Sequence, residues 1–173
     1  MSLNLDYYGS VAEGTDYFAL RLHEYAWSEA DHTDREKGLF AATQVVDTLN
    51  FKGNKHTVWQ LSQAVSEPTG DEIRAAEVSQ MLEFPRGADE TVPEIIKKAV
   101  YEIAHSLLEG KDPEAELENL GIQSQGYASV RTTYSRNQVP IEHIVNGIPN
   151  ALAWRWLWPF LRDEDAIRLS RVS

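Results

Sequence analysis

A mainly α fold is predicted, a small helical bundle with an extended strand or hairpin element and a C-terminal arm. Three observations carry this reading. Apolar residues recur at helical spacing over Leu39–Leu49 and Ile96–Leu108. The pattern Thr-x-x-Glu, a helix-start signal, occurs at Thr33–Glu36 and at Thr69–Glu72. Only one stretch, Gly126–Arg136, is rich in β-formers without internal Gly or Pro. The expected organisation is an acidic helical domain over 1–121, an extended element with a short helix over 122–147, and an anchoring arm over 148–173.

In chain order, Gly9–Gly14 reads as a loop, and Thr15 as the cap of a helix with Phe18, Leu22 and Tyr25 on one side. Ala26–His32 reads as a turn. Thr33 then caps a helix whose inward positions are Leu39, Ala42, Thr43, Val46 and Leu49, with Gly53 able to end it. Residues 54–70 are irregular, and Thr69 starts a helix with Ile73 and Ala76 inward. That helix must end before Phe84-Pro85, because a residue preceding proline avoids helical geometry. Pro93 suits a first helical turn. The stripe Ile96, Ala99, Val100, Ile103, Ala104, Leu107 and Leu108 behind it predicts the central helix, ended by Gly110. Asp112-Pro113 opens a short acidic helix closed by Gly121. Pro140–Asn146 predicts one short helix, and Pro149 another reaching Trp158, where Pro159 disturbs it.

Charge is unevenly placed. Residues 1–121 hold ten Lys/Arg against 23 Asp/Glu, a net of −13, whereas 122–173 hold six Arg against four acids, so the whole chain carries −11. Such an acidic body disfavours non-specific nucleic-acid binding, which is driven by cations displacing the counterions of phosphates. No cysteine is present, which excludes disulfides and thiolate metal sites. No apolar run approaches the roughly 20 residues of a bilayer span. Met1–Gly9 lacks the basic start and apolar core of a signal peptide, so a cytoplasmic product without a membrane role is expected.

Catalytic signatures are missing: there is no Gly-x-Ser-x-Gly, phosphate loop or Gly-x-Gly-x-x-Gly, and His23, His56 and His143 lack a local partner pattern. The chain therefore reads as a non-enzyme without cofactor. Two Glu-x-x-His spacings, Glu29–His32 and Glu102–His105, have the form used in di-metal helical bundles, where residues three apart share one ion. The first sits in the predicted turn and the second borders an apolar stripe, so solvated or core-edge side chains are the default and no metal is expected.

The basic end carries Trp154-Arg155-Trp156-Leu157-Trp158-Pro159-Phe160-Leu161-Arg162. Helical spacing would put Trp154, Leu157 and Leu161 in a core and aim Trp156 and Trp158 elsewhere. Trp and Arg dominate interface hot spots, so Trp154, Arg155, Trp156, Trp158, Arg162, Arg168 and Arg171 are the candidate partner-binding residues. A chain ending at Gly147 is then expected to stay folded and lose its partner. The stretch around Tyr127, Val130, Arg131 and Tyr134 is either a local hairpin or an edge strand adding to a neighbouring subunit.

The order of Tyr17-Phe18-Ala19-Leu20-Arg21-Leu22, Leu49-Asn50-Phe51-Lys52-Gly53, Phe84-Pro85-Arg86-Gly87, Val92-Pro93-Glu94-Ile95-Ile96, Glu116-Leu117-Glu118-Asn119-Leu120-Gly121, Ser129-Val130-Arg131 and Trp154-Arg155 resembles the head–tail connector, or neck adaptor, proteins of tailed bacteriophages. Relatives of that kind are often labelled DnaT-like single-stranded-DNA-binding. The resemblance spans about residues 7–173, with 54–83 longer and more polar than its pattern. It implies a helical subunit that assembles as a ring, typically twelvefold, beneath the portal protein. It also implies a tail or nozzle protein docking below, duplex DNA passing through unbound, a place in the virion neck, and a C-terminal segment gripping the portal. The alternative is a single-stranded nucleic-acid binder using the basic C-terminal segment.

Overall fold

The computed structural model describes residues 6–120, 124–127, 130–133 and 142–162. Their elements are α1 (Val11–Phe18), α2 (Tyr25–Glu29), α3 (His32–Asp47), α4 (His56–Ala64), α5 (Gly70–Ser79), α6 (Glu94–Leu108), α7 (Pro113–Leu120), strands β1 (Ser124–Tyr127) and β2 (Val130–Thr133), α8 (Glu142–Val145), α9 (Ala151–Leu157) and a 3-10 turn over Trp158–Phe160. The protein is a small helical bundle.

The central helix is α6. Its predicted stripe is buried at Ile96, Ala99, Val100, Ile103 and Ala104, and Tyr101, Glu102, His105 and Ser106 are buried as well. A helix covered nearly all round must have neighbours on several sides. Helices α3 and α9 both pack along it, and α1 and α2 add to the cover. Gly38 brings α3 close: a Cβ there would stand 3.4 Å from Leu108 Cγ and 3.6 Å from the Ala104 Cβ. The inward residues predicted for α3 (Leu39, Ala42, Thr43, Val46) are buried, and Leu49 is buried just past its end.

Several helix starts lie elsewhere than predicted. Ser10, not Thr15, caps α1, its oxygen accepting from Glu13 N at 3.1 Å. Helix runs straight through Gly14, where a Cβ would collide with the Trp27 ring at 2.7 Å. Thr15 instead donates to the Val11 carbonyl and accepts from Trp27 Nε1. The predicted turn at Ala26–His32 is largely taken up by α2, because Trp27 is drawn into the core against Phe18, with ring centroids 4.9 Å apart. Asp31 caps α3 in place of Thr33, accepting from Asp34 N at 2.8 Å; its charged oxygen is the stronger acceptor.

Residues 54–70, expected to be irregular, contain α4, which the sequence hides because its cap position, Lys55, offers no side-chain acceptor. The Thr69–Glu72 capping box is present, Glu72 accepting from Thr69 N at 2.8 Å and Thr69 from Glu72 N at 3.3 Å. Helices α4 and α5 pack on each other, Ile73 and Ala76 are half-buried, and α5 buries no residue fully. A polar clamp ties the base of this pair to the body. Arg86 donates to the Lys52 and Gly53 carbonyls at 3.0 and 2.5 Å and pairs with Glu83, and His56 N donates to the Pro85 carbonyl at 3.0 Å.

Of the two readings of the β-rich stretch, the local hairpin is present: β1 pairs antiparallel with β2, with Tyr127 opposite Val130 and Gly126 opposite Arg131. Asp112 opens α7 by accepting from Glu114 N and Ala115 N. The segment expected to begin an arm at 148 enters the core first: Ile148, Ala153 and Leu157 are fully buried. Its end is stitched down as well, Lys52 N donating to the Phe160 carbonyl at 2.8 Å and Arg162 N to the Asn50 carbonyl at 2.9 Å.

Candidate partner interface

Helix α9 exists because Asn150 caps it, its side-chain oxygen accepting from Leu152 N at 2.8 Å and Ala153 N at 3.3 Å. With Ala153 and Leu157 facing α6, the Trp side chains divide. Trp154 and Trp156 are half-buried against the core, whereas Trp158 stands 56% exposed and leans edge-on against Trp154 at 5.8 Å. Pro159 sits in the 3-10 turn, which carries Phe160 onto Phe84 at 5.9 Å. Arg155 and Arg162 are exposed, and among the described residues no carboxylate lies within ion-pair distance of either. Lys52 joins them by donating to the Pro159 carbonyl at 3.2 Å. Thus Trp158, Arg155 and Arg162 make an exposed aromatic–cationic ledge along residues 155–162, with Trp154 behind Trp158 and Trp156 turned to the core. Arg168, Arg171 and Tyr134 lie outside the described residues; Tyr127, Val130 and Arg131 lie on the hairpin strands.

At the other end of α9, by its Asn150 cap, lies a group expected at the core edge: Glu102, fully buried. Arg21 meets it through Nε at 2.7 Å and Nη2 at 2.9 Å, Tyr17 OH donates at 2.7 Å, and Asn150 Nδ2 donates at 3.2 Å. One carboxylate therefore joins α1, the turn after it, α6 and the cap of α9. Its oxygens are filled by these donors, and His105, three residues on, is not among them. Burial and the Glu102 carboxylate raise the Tyr17 hydroxyl's pKa, keeping it a donor. His105 stacks on Phe18 at 5.3 Å, with Nδ1 3.7 Å from Glu109, and its Nε2 is buried without a hydrogen-bond partner among the described residues. Burial, then the Arg21 charge, pushes its pKa down. One signal did exist in the sequence: Glu102 falls among the apolar residues of the predicted central helix, and a carboxylate buried there needs donors.

The same kind of engagement governs the rest of the acidic body. Eight of the ten Lys/Arg in residues 1–121 are held within the chain. Besides Arg21, Lys52 and Arg86, Lys55 pairs with Glu83, Lys97 with Glu13 and Glu94, Lys37 with Asp34 and Lys111 with Glu109, and Arg35 donates to the Trp27 and Ser28 carbonyls.

Comparison with curated proteins and with solved structures finds no match to either. A family model does match, over residues 2–156, from ahead of α1 to the second tryptophan of α9. Since that span takes in the buried Glu102 network and the start of the ledge, the chain belongs to the family described as "Putative DnaT-like ssDNA binding protein".

Proposed function

We propose that this protein is a structural adaptor of a tailed phage's neck, assembling as a ring, twelvefold in the manner of the adaptors it resembles, beneath the portal protein. In this reading the ledge of Trp158, Arg155 and Arg162 contacts the portal, a tail or nozzle protein docks below, and duplex DNA passes through. No catalytic step or cofactor belongs to it, and its place is the virion neck. The observation that carries the reading is the charge of the body: residues 1–121 carry a net −13, and eight of their ten basic side chains are engaged within the chain. A wall of that kind repels phosphates and lets a duplex slide. Co-sedimentation and negative-stain imaging with the phage's intact portal ring test it. Added ring density at the narrow end supports the adaptor; an intact portal that collects nothing overturns it.

A second reading, a single-stranded-DNA binder, is favoured by the family's description and by the exposed Trp158 beside Arg155 and Arg162. Base stacking on aromatics beside cations is how such proteins hold a strand. It requires oligonucleotide binding that quenches Trp fluorescence and weakens steeply with salt. No binding at low salt removes it.

A further inference from the structure

We propose that Asn146 is a site of spontaneous modification, its side-chain amide lost to attack by the Gly147 backbone nitrogen, and that the product loosens α9. The proposal goes beyond the adaptor reading and does not rest on it.

Of the seven asparagines in the chain, only Asn146 is followed by glycine. That neighbour matters because the attacking group is the next residue's peptide nitrogen, and a side chain there obstructs its approach. At Gly147 the approach is open: apart from its chain neighbours, a Cβ built there would have no atom nearer than Val45 Cγ1, at 4.0 Å. Asn146 itself is exposed. The chemistry needs only water. Gly147 N gives its proton to solvent base and bonds to Asn146 Cγ; the Cγ–Nδ2 bond breaks and ammonia leaves, closing a five-membered cyclic imide. Water then opens that ring at either carbonyl. One opening gives aspartate. The other gives isoaspartate, with the main chain rerouted through Cβ and Cγ.

The fold restrains both reacting groups. Gly147 N donates to the Ile144 carbonyl at 2.9 Å, and Asn146 Nδ2 donates to the Glu142 carbonyl at 2.8 Å. Both bonds depend on α8, and α8 is a weak restraint. It has four residues, buries none of them fully, and leaves Val145 57% exposed. A single turn bears the cost of nucleation with few bonds of propagation to offset it. Such an element opens locally while the core stays folded, and its opening frees the nitrogen and the amide together.

The consequence lies downstream. Gly147 turns the chain at φ 73°, and the next residue, Ile148, is fully buried, its N donating to the His143 carbonyl at 2.7 Å. Asn150 then caps α9 and donates to Glu102 at 3.2 Å and to Ser106 Oγ at 3.3 Å. Isoaspartate adds a main-chain carbon and a carboxylate just ahead of this closely bonded stretch. The added length shifts the turn and draws the α9 cap away from its partners.

Peptide mapping of the full chain, incubated in mildly alkaline buffer both folded and in urea, tests the site. In the folded protein isoaspartate is expected at Asn146 and at none of the other six asparagines, formed more slowly than in urea. A folded protein that keeps its Asn146 amide after the unfolded chain has lost it overturns the proposal, as does equal loss at several asparagines. Amide exchange over Ala151–Leu157 should then be faster in the aged protein. Asn146→Gln protein aged in parallel should show no change, because glutamine must close a slower six-membered ring. Isoaspartate at position 146 with unmoved exchange in α9 overturns the coupling to that helix.

Discussion

Glu102 and Asp47 are two carboxylates with opposite circumstances. Glu102 is fully buried but surrounded by Arg21, Tyr17 and Asn150. Replacing Arg21 by Ala would strand that charge, and breaking such a pair typically costs about 3–5 kcal/mol. The variant's denaturant midpoint should fall accordingly, and adding Glu102→Gln should recover part of the loss; two losses that simply add would refute the pairing. Asp47 accepts from Tyr8 OH, and burial lifts its pKa to about 6. A carboxyl that binds its proton more tightly when folded makes the protein less stable as pH rises from about 4 to 6, by up to about 3 kcal/mol at 1.36 per unit. His105 acts in the other direction: its folded pKa is depressed, so stability falls as pH drops below about 6.5. Asp47→Asn should therefore remove the falling limb and leave stability rising with pH through the same window, read from urea midpoints at pH 4–7.

Among the elements, α9 decides how the C-terminal region behaves. Read from residue order it begins an arm; in the fold, Ile148, Ala153 and Leu157 complete the cover of α6. Deleting one large buried aliphatic costs about 2–5 kcal/mol against a total stability of about 5–15. A chain ending at Gly147 should accordingly lose its cooperative thermal transition, whereas one ending at Arg162 keeps every described core residue. A cooperative transition in the shorter chain would show α9 to be dispensable. Helix α5 is the counterexample, with a complete capping box and no fully buried residue. Thr69→Ala should fray α5 by about 1 kcal/mol, visible as faster amide exchange in Gly70–Ser79, with the global midpoint unmoved.

For the whole molecule, charge and aromatic placement are separable. In the proposed adaptor the body's net negative charge sets long-range encounter and the Trp158 ledge sets contact. Trp158→Ala removes an exposed ring, so the melting temperature should stay within a degree or two while partner capture falls by tenfold or more. Equal capture by the variant would relieve the ledge of its role. The same substitution separates the two readings of function, since an oligonucleotide binder would lose Trp quenching and keep its portal contact unchanged.

Element types were largely legible from residue order, because helical periodicity and proline placement act locally: α3 and α6 were readable as helices from their apolar stripes, and α7 from Asp112-Pro113. Element starts were less so. Ser10, Asp31 and Lys55 begin helices at which the stronger-looking Thr15 and Thr33 signals lose or no signal exists, since a cap is chosen by where the chain can turn against its neighbours. Composition and residue order established an acidic, cysteine-free, mainly helical chain with three of its five Trp and six of its ten Arg in the last 52 residues. Only the tertiary structure decided which of those Trp are wall and which are surface, and that Arg21 and Asn150 meet Glu102 from 81 and 48 residues away. A buried carboxylate must find its donors wherever packing delivers them, and residue order does not encode that distance.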